Sequence, residues 1–178
     1  MKTAQLAMPA PTEQGLRTWR RAAARAGRPL ACDEDFLLGI YVIETHFRPL
    51  YRRLAEYAAT AVTGLWSLVS GRPIRSWTIG PYQLGLPTIL AYYGYPARLH
   101  DHTVHIPSLR ALASIFSAAA LSTGVRILDW RLAPTAREAA RHWPDREGMR
   151  CRAVGEEFGG RFTYGLILER VVEALHEA

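Results

Sequence analysis

The chain contains almost no lysine and few acidic residues relative to its basic ones. Of its 178 residues only Lys2 is a lysine, so 22 − 1 = 21 of the positive side chains are arginines, against 16 acids and a net charge of +6. A basic surface suits a polyanionic partner such as nucleic acid, anionic lipid or bacterial cell wall. Because the arginines are scattered along the chain, charge alone does not choose among these partners.

Cysteine and long apolar runs are also scarce. Two cysteines, Cys32 and Cys151, do not make a disulfide framework, although they could pair in an oxidising compartment. Two charge-free stretches of helical character, 57–71 and 111–125, are shorter than the roughly 20 apolar residues that a membrane span needs. The opening stretch MKTAQLAMPAPTEQG has no long apolar core. We therefore expect neither a transmembrane segment nor a recognisable secretory signal peptide.

Helical periodicity dominates the rest of the sequence. In 50–70 the apolar residues are spaced by three and four, which predicts an amphipathic helix. Its expected buried residues are Leu50, Leu54, Tyr57, Ala61, Leu65 and Leu68. Thr135 and Glu138 match a capping box, which predicts that a helix begins there. We predict an all-α protein of about seven to nine helices with long site-bearing loops, in which an N-terminal arm and short basic helix (1–30) precede the main domain (31–178).

Glu44 stands at the inner end of an apolar run, in the stretch YVIETHFRP. An apolar setting raises the pKa of a carboxyl until it can hold a proton near neutral pH and donate it. The structural alternative is an ion pair with Arg48, one helical turn further on. Pro49 disfavours helical geometry at residue 48, which argues against that pair. Glu44 is therefore our candidate general acid.

The loop TIGPYQLG carries a second set of candidate residues. Tyr82 and Gln83 follow a Gly-Pro turn. A tyrosine ring can stack on a sugar, and an amide can bond to its hydroxyls. Together with Glu44 these residues suggest a glycan-cleaving site as one hypothesis, because cleavage of a glycosidic bond needs a proton for the leaving oxygen. An apolar pocket with a few polar groups serves many other ligands as well, so the spacing alone leaves the ligand open.

ETHFRP followed by TIGPYQLG resembles the soluble lytic transglycosylases of the lysozyme-like superfamily. Their pattern is Glu-Ser/Thr-x-Phe-x-Pro, and then a Gly-x-x-Gln-Leu/Ile turn leading into a helix. The matching positions are Glu44, Thr45, Phe47, Pro49, Gly80, Gln83 and Leu84. The chain departs from the family in the additional helix at 50–70 and in Tyr82, which stands where a Met is usual.

The resemblance implies a lysozyme-like fold and a role for each matched residue. Glu44 becomes the general acid/base, Gln83 a glycan contact, and Tyr164 a tyrosine that faces the glutamate. Tyr82, Thr45 and Thr78 are weaker candidates for the cleft. No cofactor and no metal are implied.

The activity that the resemblance implies is cleavage of the β-1,4 bond between N-acetylmuramic acid and N-acetylglucosamine in peptidoglycan. With one glutamate the route is lytic transglycosylation, by a bacterial monomer in the cell envelope or periplasm, serving a secretion apparatus, wall remodelling or phage lysis. A hydrolysing muramidase would need a second carboxylate. We interpret Glu56 as a solvated partner of Arg52, so that second carboxylate is missing. A non-catalytic peptidoglycan-binding scaffold is the third alternative.

Two further patterns have other interpretations. His100, His102 and His105, with Asp101, could bind zinc in a metal hydrolase, although a polar surface loop is the simpler explanation. The stretch RTWRRAAARAGR could bind nucleic acid or an acidic membrane surface. We favour a solvated helix that packs on the domain through Trp19, and expect no nucleic-acid partner.

Overall fold

The computed structural model describes residues 12–27, 29–99 and 101–177. Over these ranges the chain forms eight α-helices and four short strands. The helices are α1 (Glu13–Ala26), α2 (Glu34–Phe47), α3 (Leu50–Ser70), α4 (Leu86–Tyr92), α5 (Leu109–Ser117), α6 (Leu121–His142), α7 (Glu147–Gly159) and α8 (Phe162–Glu177). The strands are β1 (Ile74–Arg75), β2 (Thr78–Ile79), β3 (Leu84–Gly85) and β4 (Thr103–Val104). The prediction of an all-α protein is confirmed.

Helix α2 runs through the core and carries Glu44 in its last turn. It is apolar from Phe36 to Ile43, and most of that stretch is buried. Gly39 lets Leu168 and Val172 of α8 approach the helix closely. A similarly close approach of Gly155 and Gly165 packs α7 against α8. These contacts bring the start of α8 beside the end of α2.

Helix α1 belongs to the same core. Trp19 is buried together with Ala22, Ala23 and Ala26, and α1 packs on α6. The indole Nε1 of Trp19 donates a hydrogen bond of 2.7 Å to the hydroxyl of Tyr82. The prediction that Trp19 packs this helix on the domain is confirmed. The predicted boundary at residue 30 does not divide the core, and residues 1–11 of the predicted arm lie outside the described residues.

The predicted buried face of α3 is wrong for three of its six residues, while Tyr57, Ala61 and Leu68 are half-buried. Leu50, Leu54 and Leu65 are exposed, whereas the small and polar residues Thr60, Gly64 and Ser67 are buried. Gly64 admits Leu112 of α5, a contact that a larger residue would block. The Ser67 hydroxyl donates to the carbonyl of Arg72 and accepts from the amide of Ile106. These long-range contacts fix the orientation of α3 against its apolar periodicity.

The TIGPYQLG loop forms a small antiparallel hairpin. Thr78 pairs with Gly85, and Ile79 pairs with Leu84. The turn between the strands has two left-handed residues, Gly80 with φ 85° and Gln83 with φ 51°. Among the described residues Gln83 is the one non-glycine residue with a positive φ. Such backbone strain in a tight turn is typical of functional sites.

Helix α6 continues through the predicted capping box. Pro134 lies inside it and Thr135 is an interior residue, so the predicted helix start at Thr135 is wrong. Burial of Ile127, Leu128 and Leu132 on the same helix supplies packing that outweighs the cost of the proline.

The structure also bears on the cysteines and on membrane spans. Cys32 and Cys151 are both buried and free, and burial raises the pKa of each thiol. Within the described ranges no single helix has the length and hydropathy of a membrane span. Helices α5 and α6, which are bent relative to each other, reach that length and hydropathy only when the two are taken together.

Candidate active site

The end of helix α2 sets the position of Glu44. The helix ends at Phe47, and Arg48 is extended, with φ −122° and ψ 104°. This is the geometry that Pro49 imposes on the residue before it. The turn predicted at Pro49 is confirmed. Glu44 therefore lies in the last helical turn, next to a chain that leaves the helix axis.

The carboxyl of Glu44 is nearly enclosed. Its side chain is 12% exposed, and the Tyr164 hydroxyl donates a hydrogen bond of 3.0 Å to its Oε1. The Tyr164 ring packs against Phe158 with ring centroids 5.3 Å apart. The Nε of Arg48 lies 3.9 Å from Oε2, so the ion pair considered for Glu44 is present but loose. The sequence pair predicted to face each other, Glu44 and Tyr164, is thus in direct contact.

Burial raises the pKa of Glu44 above that of an ordinary glutamate. The hydrogen bond from Tyr164 and the charge of Arg48 act in the opposite direction, and the nearby carboxylate of Glu56 adds to the rise. Burial, with the charge of Glu44, also raises the pKa of Tyr164, which keeps the phenol as a proton-bearing donor. A carboxyl in this setting can hold a proton at a higher pH than one in water.

Arg48 links the two sequence motifs. One of its terminal nitrogens, Nη1, donates to Glu56 Oε1 at 3.0 Å, to Gln83 Oε1 at 2.8 Å and to Thr78 Oγ1 at 3.2 Å. Thr78 Oγ1 lies 3.2 Å from Glu56 Oε2 and 2.8 Å from Gln83 Oε1. Through the guanidinium, this cluster reaches Glu44. We call the set Glu44, Arg48, Glu56, Thr78, Gln83 and Tyr164 the Glu44 network.

Gln83 is held tightly inside the network. Its Nε2 donates to the Gly80 carbonyl at 2.9 Å, and its Oε1 accepts from Arg48 and Thr78. The Gly80 amide donates to the Tyr57 hydroxyl at 3.1 Å. The amide of Gln83 therefore anchors the strained turn and orients Arg48, and its polar atoms are engaged by the protein.

Two other predicted cleft residues are not part of the Glu44 network. Tyr82 is fully buried, with its hydroxyl bonded to Trp19, and its ring contacts Tyr41 edge-on. The expectation that Tyr82 lines the cleft is wrong, because the hairpin turn directs this ring into the core. The Thr45 hydroxyl donates to the carbonyl oxygens of Tyr41 and Val42 on its own helix, so it serves α2 locally.

Sequence reasoning missed the place of Glu56. The structure pairs Glu56 with Arg48 and Thr78, and not with Arg52 as interpreted from the sequence. A signal was available, since Glu56, Thr60 and Ser67 are polar residues at helical spacing along α3. A stripe of polar residues along one side of a mostly apolar helix marks the face that meets polar partners.

The histidine alternative finds no site in the described part of the chain. His102 and His105 are exposed, and His100 lies outside the described residues. Among those that are described, no group of three or more His, Cys, Asp or Glu side chains could hold a metal ion. The three-histidine cluster therefore stays an untested alternative.

Comparison with known proteins gives no independent identification. No protein-family model, no curated protein and no solved structure matches the chain. The lysozyme-like fold and the peptidoglycan-cleaving activity therefore stay predictions, and the Glu44 network is the structural basis on which they can be argued.

Proposed function

We propose that this protein is a lysozyme-like enzyme that cleaves the β-1,4 bond between N-acetylmuramic acid and N-acetylglucosamine in peptidoglycan by lytic transglycosylation. The observation that carries the proposal is the enclosed Glu44 carboxyl, which has a raised pKa and is bonded to Tyr164. Peptidoglycan strands are the substrate and the cell envelope is the place of action. The proposed enzyme works as a monomer.

In the first step Glu44 acts as the acid. Its proton passes to the glycosidic oxygen as the bond from that oxygen to the anomeric carbon of the muramic acid breaks. The carboxylate that remains is stabilised by the hydrogen bond from Tyr164 and by the charge of Arg48. These two contacts stabilise the ionised form of Glu44, whereas burial favours the protonated form.

In the second step the Glu44 carboxylate acts as the base. It accepts the proton of the 6-hydroxyl of the same muramic acid, whose oxygen bonds to the anomeric carbon and closes a 1,6-anhydro ring. Glu44 then carries a proton again, and no water is consumed. In this route the charge of Glu56 is compensated by its ion pair with Arg48, and Glu56 helps to position the guanidinium.

Glu56 also favours a second candidate function, hydrolysis. A muramidase needs a second carboxylate across the bond, and the resemblance alone supplied none. Glu56 joins the Glu44 network through Arg48, so a carboxylate that could position water is available beside the acid. A contact with two protein donors leaves it less free than a general base in an open cleft, which is why we place hydrolysis second.

Product analysis separates these functions. We expect purified protein to release muropeptides from peptidoglycan, and mass spectrometry to find them lighter by one water than the products of a hydrolysing muramidase. Products with ordinary reducing ends would instead support hydrolysis, with Glu56 as the second carboxylate. Binding to peptidoglycan without release of products would contradict both and leave the non-catalytic scaffold.

Tyr164→Phe tests the setting of the acid. The ring contact with Phe158 is kept, but the donor to Glu44 is lost, so the pKa of Glu44 rises further. The acid must be protonated to act, and activity falls as the pH rises through that pKa. We therefore expect the alkaline limb of the pH–rate profile to move to higher pH. Activity at its optimum should fall about 10- to 100-fold, since a hydrogen bond to a charged group contributes about 1.5–3 kcal/mol.

Tyr51→Phe is the matched control, because Tyr51 is an exposed tyrosine on α3 outside the Glu44 network. Its profile should superimpose on that of the wild type. An unchanged profile in Tyr164→Phe would contradict the role of Tyr164 in setting the pKa of Glu44.

A further inference from the structure

One side of helix α3 is exposed and entirely apolar. Its residues follow one another at intervals that place them on a single face of the helix. They are Tyr51, Leu54, Ala55, Ala58, Val62, Leu65, Trp66 and Val69, and every one of them is exposed. We call this set the apolar face of α3. From residue 51 to residue 69 it extends roughly 27 Å along the helix at 1.5 Å per residue.

The helix cannot hide this face by rolling about its axis. On the opposite side Glu56 is bonded to Arg48 and Thr78, and Ser67 is bonded to the backbone of residues 72 and 106. Gly64 is in close contact with Leu112. A contiguous exposed apolar surface that is fixed in this way marks an interaction site.

The charges around the apolar face select the kind of partner. From residue 46 to residue 75 the chain has five arginines and one acid, and that acid, Glu56, is paired inward with Arg48. Exposed arginines stand at both ends of the face, with Arg52 near its beginning and Arg72 and Arg75 just beyond its end. The partner must therefore offer apolar surface in the middle and negative charge on both sides.

We propose that the apolar face of α3 docks the protein on the surface of an anionic lipid bilayer. The helix lies in the plane of the membrane, with Val62 and Leu65 among the acyl chains and the arginines at the phosphates. Trp66 and Tyr51 are amphipathic rings of the kind that occupy the headgroup level. Glu56 is on the opposite side of the helix, so the Glu44 network is turned away from the lipid.

A second copy of the chain fits the same face less well. In a parallel pair Arg52 would lie near its own copy, and in an antiparallel pair it would lie near Arg72 of the other chain. Either arrangement brings like charges together at the ends of the interface, which opposes association. The lipid surface has the complementary charge. The docking proposal stands independently of the proposed activity.

Flotation with vesicles tests the docking. We expect the full chain to float with phosphatidylglycerol vesicles at low salt, and binding to weaken with added salt and on phosphatidylcholine vesicles. Val62→Glu puts a charge in the centre of the face and should reduce binding at least tenfold. Val62 is 69% exposed and glutamate is a good helix former, so the variant should fold.

Phe162→Glu is the matched control. Phe162 is 56% exposed at the start of α8, outside α3, and its replacement by glutamate makes the same change in charge. It should float like the wild type. An equal loss of vesicle binding in both variants would show that the effect comes from net charge, and it would overturn the docking proposal. Failure of the wild type to float, or a dimer in light scattering that Val62→Glu dissociates, would also overturn it, the latter in favour of a second copy.

Discussion

Replacement of Glu44 by glutamine is expected to lower the rate of peptidoglycan cleavage about 10²- to 10⁴-fold, the usual contribution of a general acid. Glutamine keeps the size of the side chain and an oxygen that can accept the Tyr164 hydrogen bond, but it has no proton to give to the leaving oxygen. The measurement is release of muropeptides by the wild type and by Glu44→Gln under the same conditions. Retained release at the wild-type rate would refute Glu44 as the acid.

The matched control is Glu156→Gln, an exposed carboxyl on α7 outside the Glu44 network. It loses the same charge and should cleave like the wild type. Loss of activity in both variants would indicate an effect of net charge on binding to the wall, and not a missing acid.

Thermal unfolding shows whether Glu44→Gln remains folded. Because burial raises the pKa of Glu44 in the folded protein, the folded state binds more protons than the unfolded state between the ordinary and the raised pKa. The contribution of Glu44 to stability therefore falls as the pH rises through that interval. Glutamine removes this loss, so the variant should unfold at the same or a higher temperature than the wild type above the raised pKa. The difference should vanish below the ordinary pKa of glutamate.

Features that depend on neighbouring residues could be predicted from the sequence. The end of α2 follows from the restriction that Pro49 places on Arg48, and both lie within two residues of Phe47. The helical class follows from periodicity, and the candidate acid follows from the apolar run before it. In each case the cause and the effect are close together in the sequence.

Features that depend on distant residues could not be predicted. Tyr82 is drawn into the core by Trp19, which is 63 positions away in sequence. The orientation of α3 is set by Leu112 and by polar contacts of Ser67, and the apolar spacing of three and four in α3 does not reveal it. The sequence indicates Glu44 as a partner of Arg48, whereas the fold brings to Arg48 a second carboxylate and the hairpin as well. The candidate acid could be chosen from the sequence, but the residues that surround it required the tertiary structure.

Gly80→Ala is expected to be the most destabilising of these substitutions. Gly80 has φ 85°, a conformation that costs a residue with a Cβ about 1–2 kcal/mol. A Cβ at this position would also collide with the carbonyl oxygen of Ala118, a rigid backbone atom. Forcing the two apart costs about 1–3 kcal/mol more. The unfolding temperature should therefore fall by about 4–20 °C, at about 2–4 °C per kcal/mol for a chain of this size.

Gly94→Ala separates the two causes. Gly94 has a similar φ of 79°, but a Cβ there meets no atom within 4 Å, so only the backbone cost applies. Its unfolding temperature should fall by about a quarter to two-thirds as much as that of Gly80→Ala. The Gly80 amide donates a hydrogen bond to Tyr57, and its carbonyl accepts one from Gln83, which in turn contacts Arg48. Displacement of this turn should therefore also loosen Arg48 and lower activity in Gly80→Ala alone. Equal effects in the two variants would mean that the hairpin is not pressed against Ala118. The Glu44 network would then lose the contact that fixes its hairpin residues, Thr78 and Gln83.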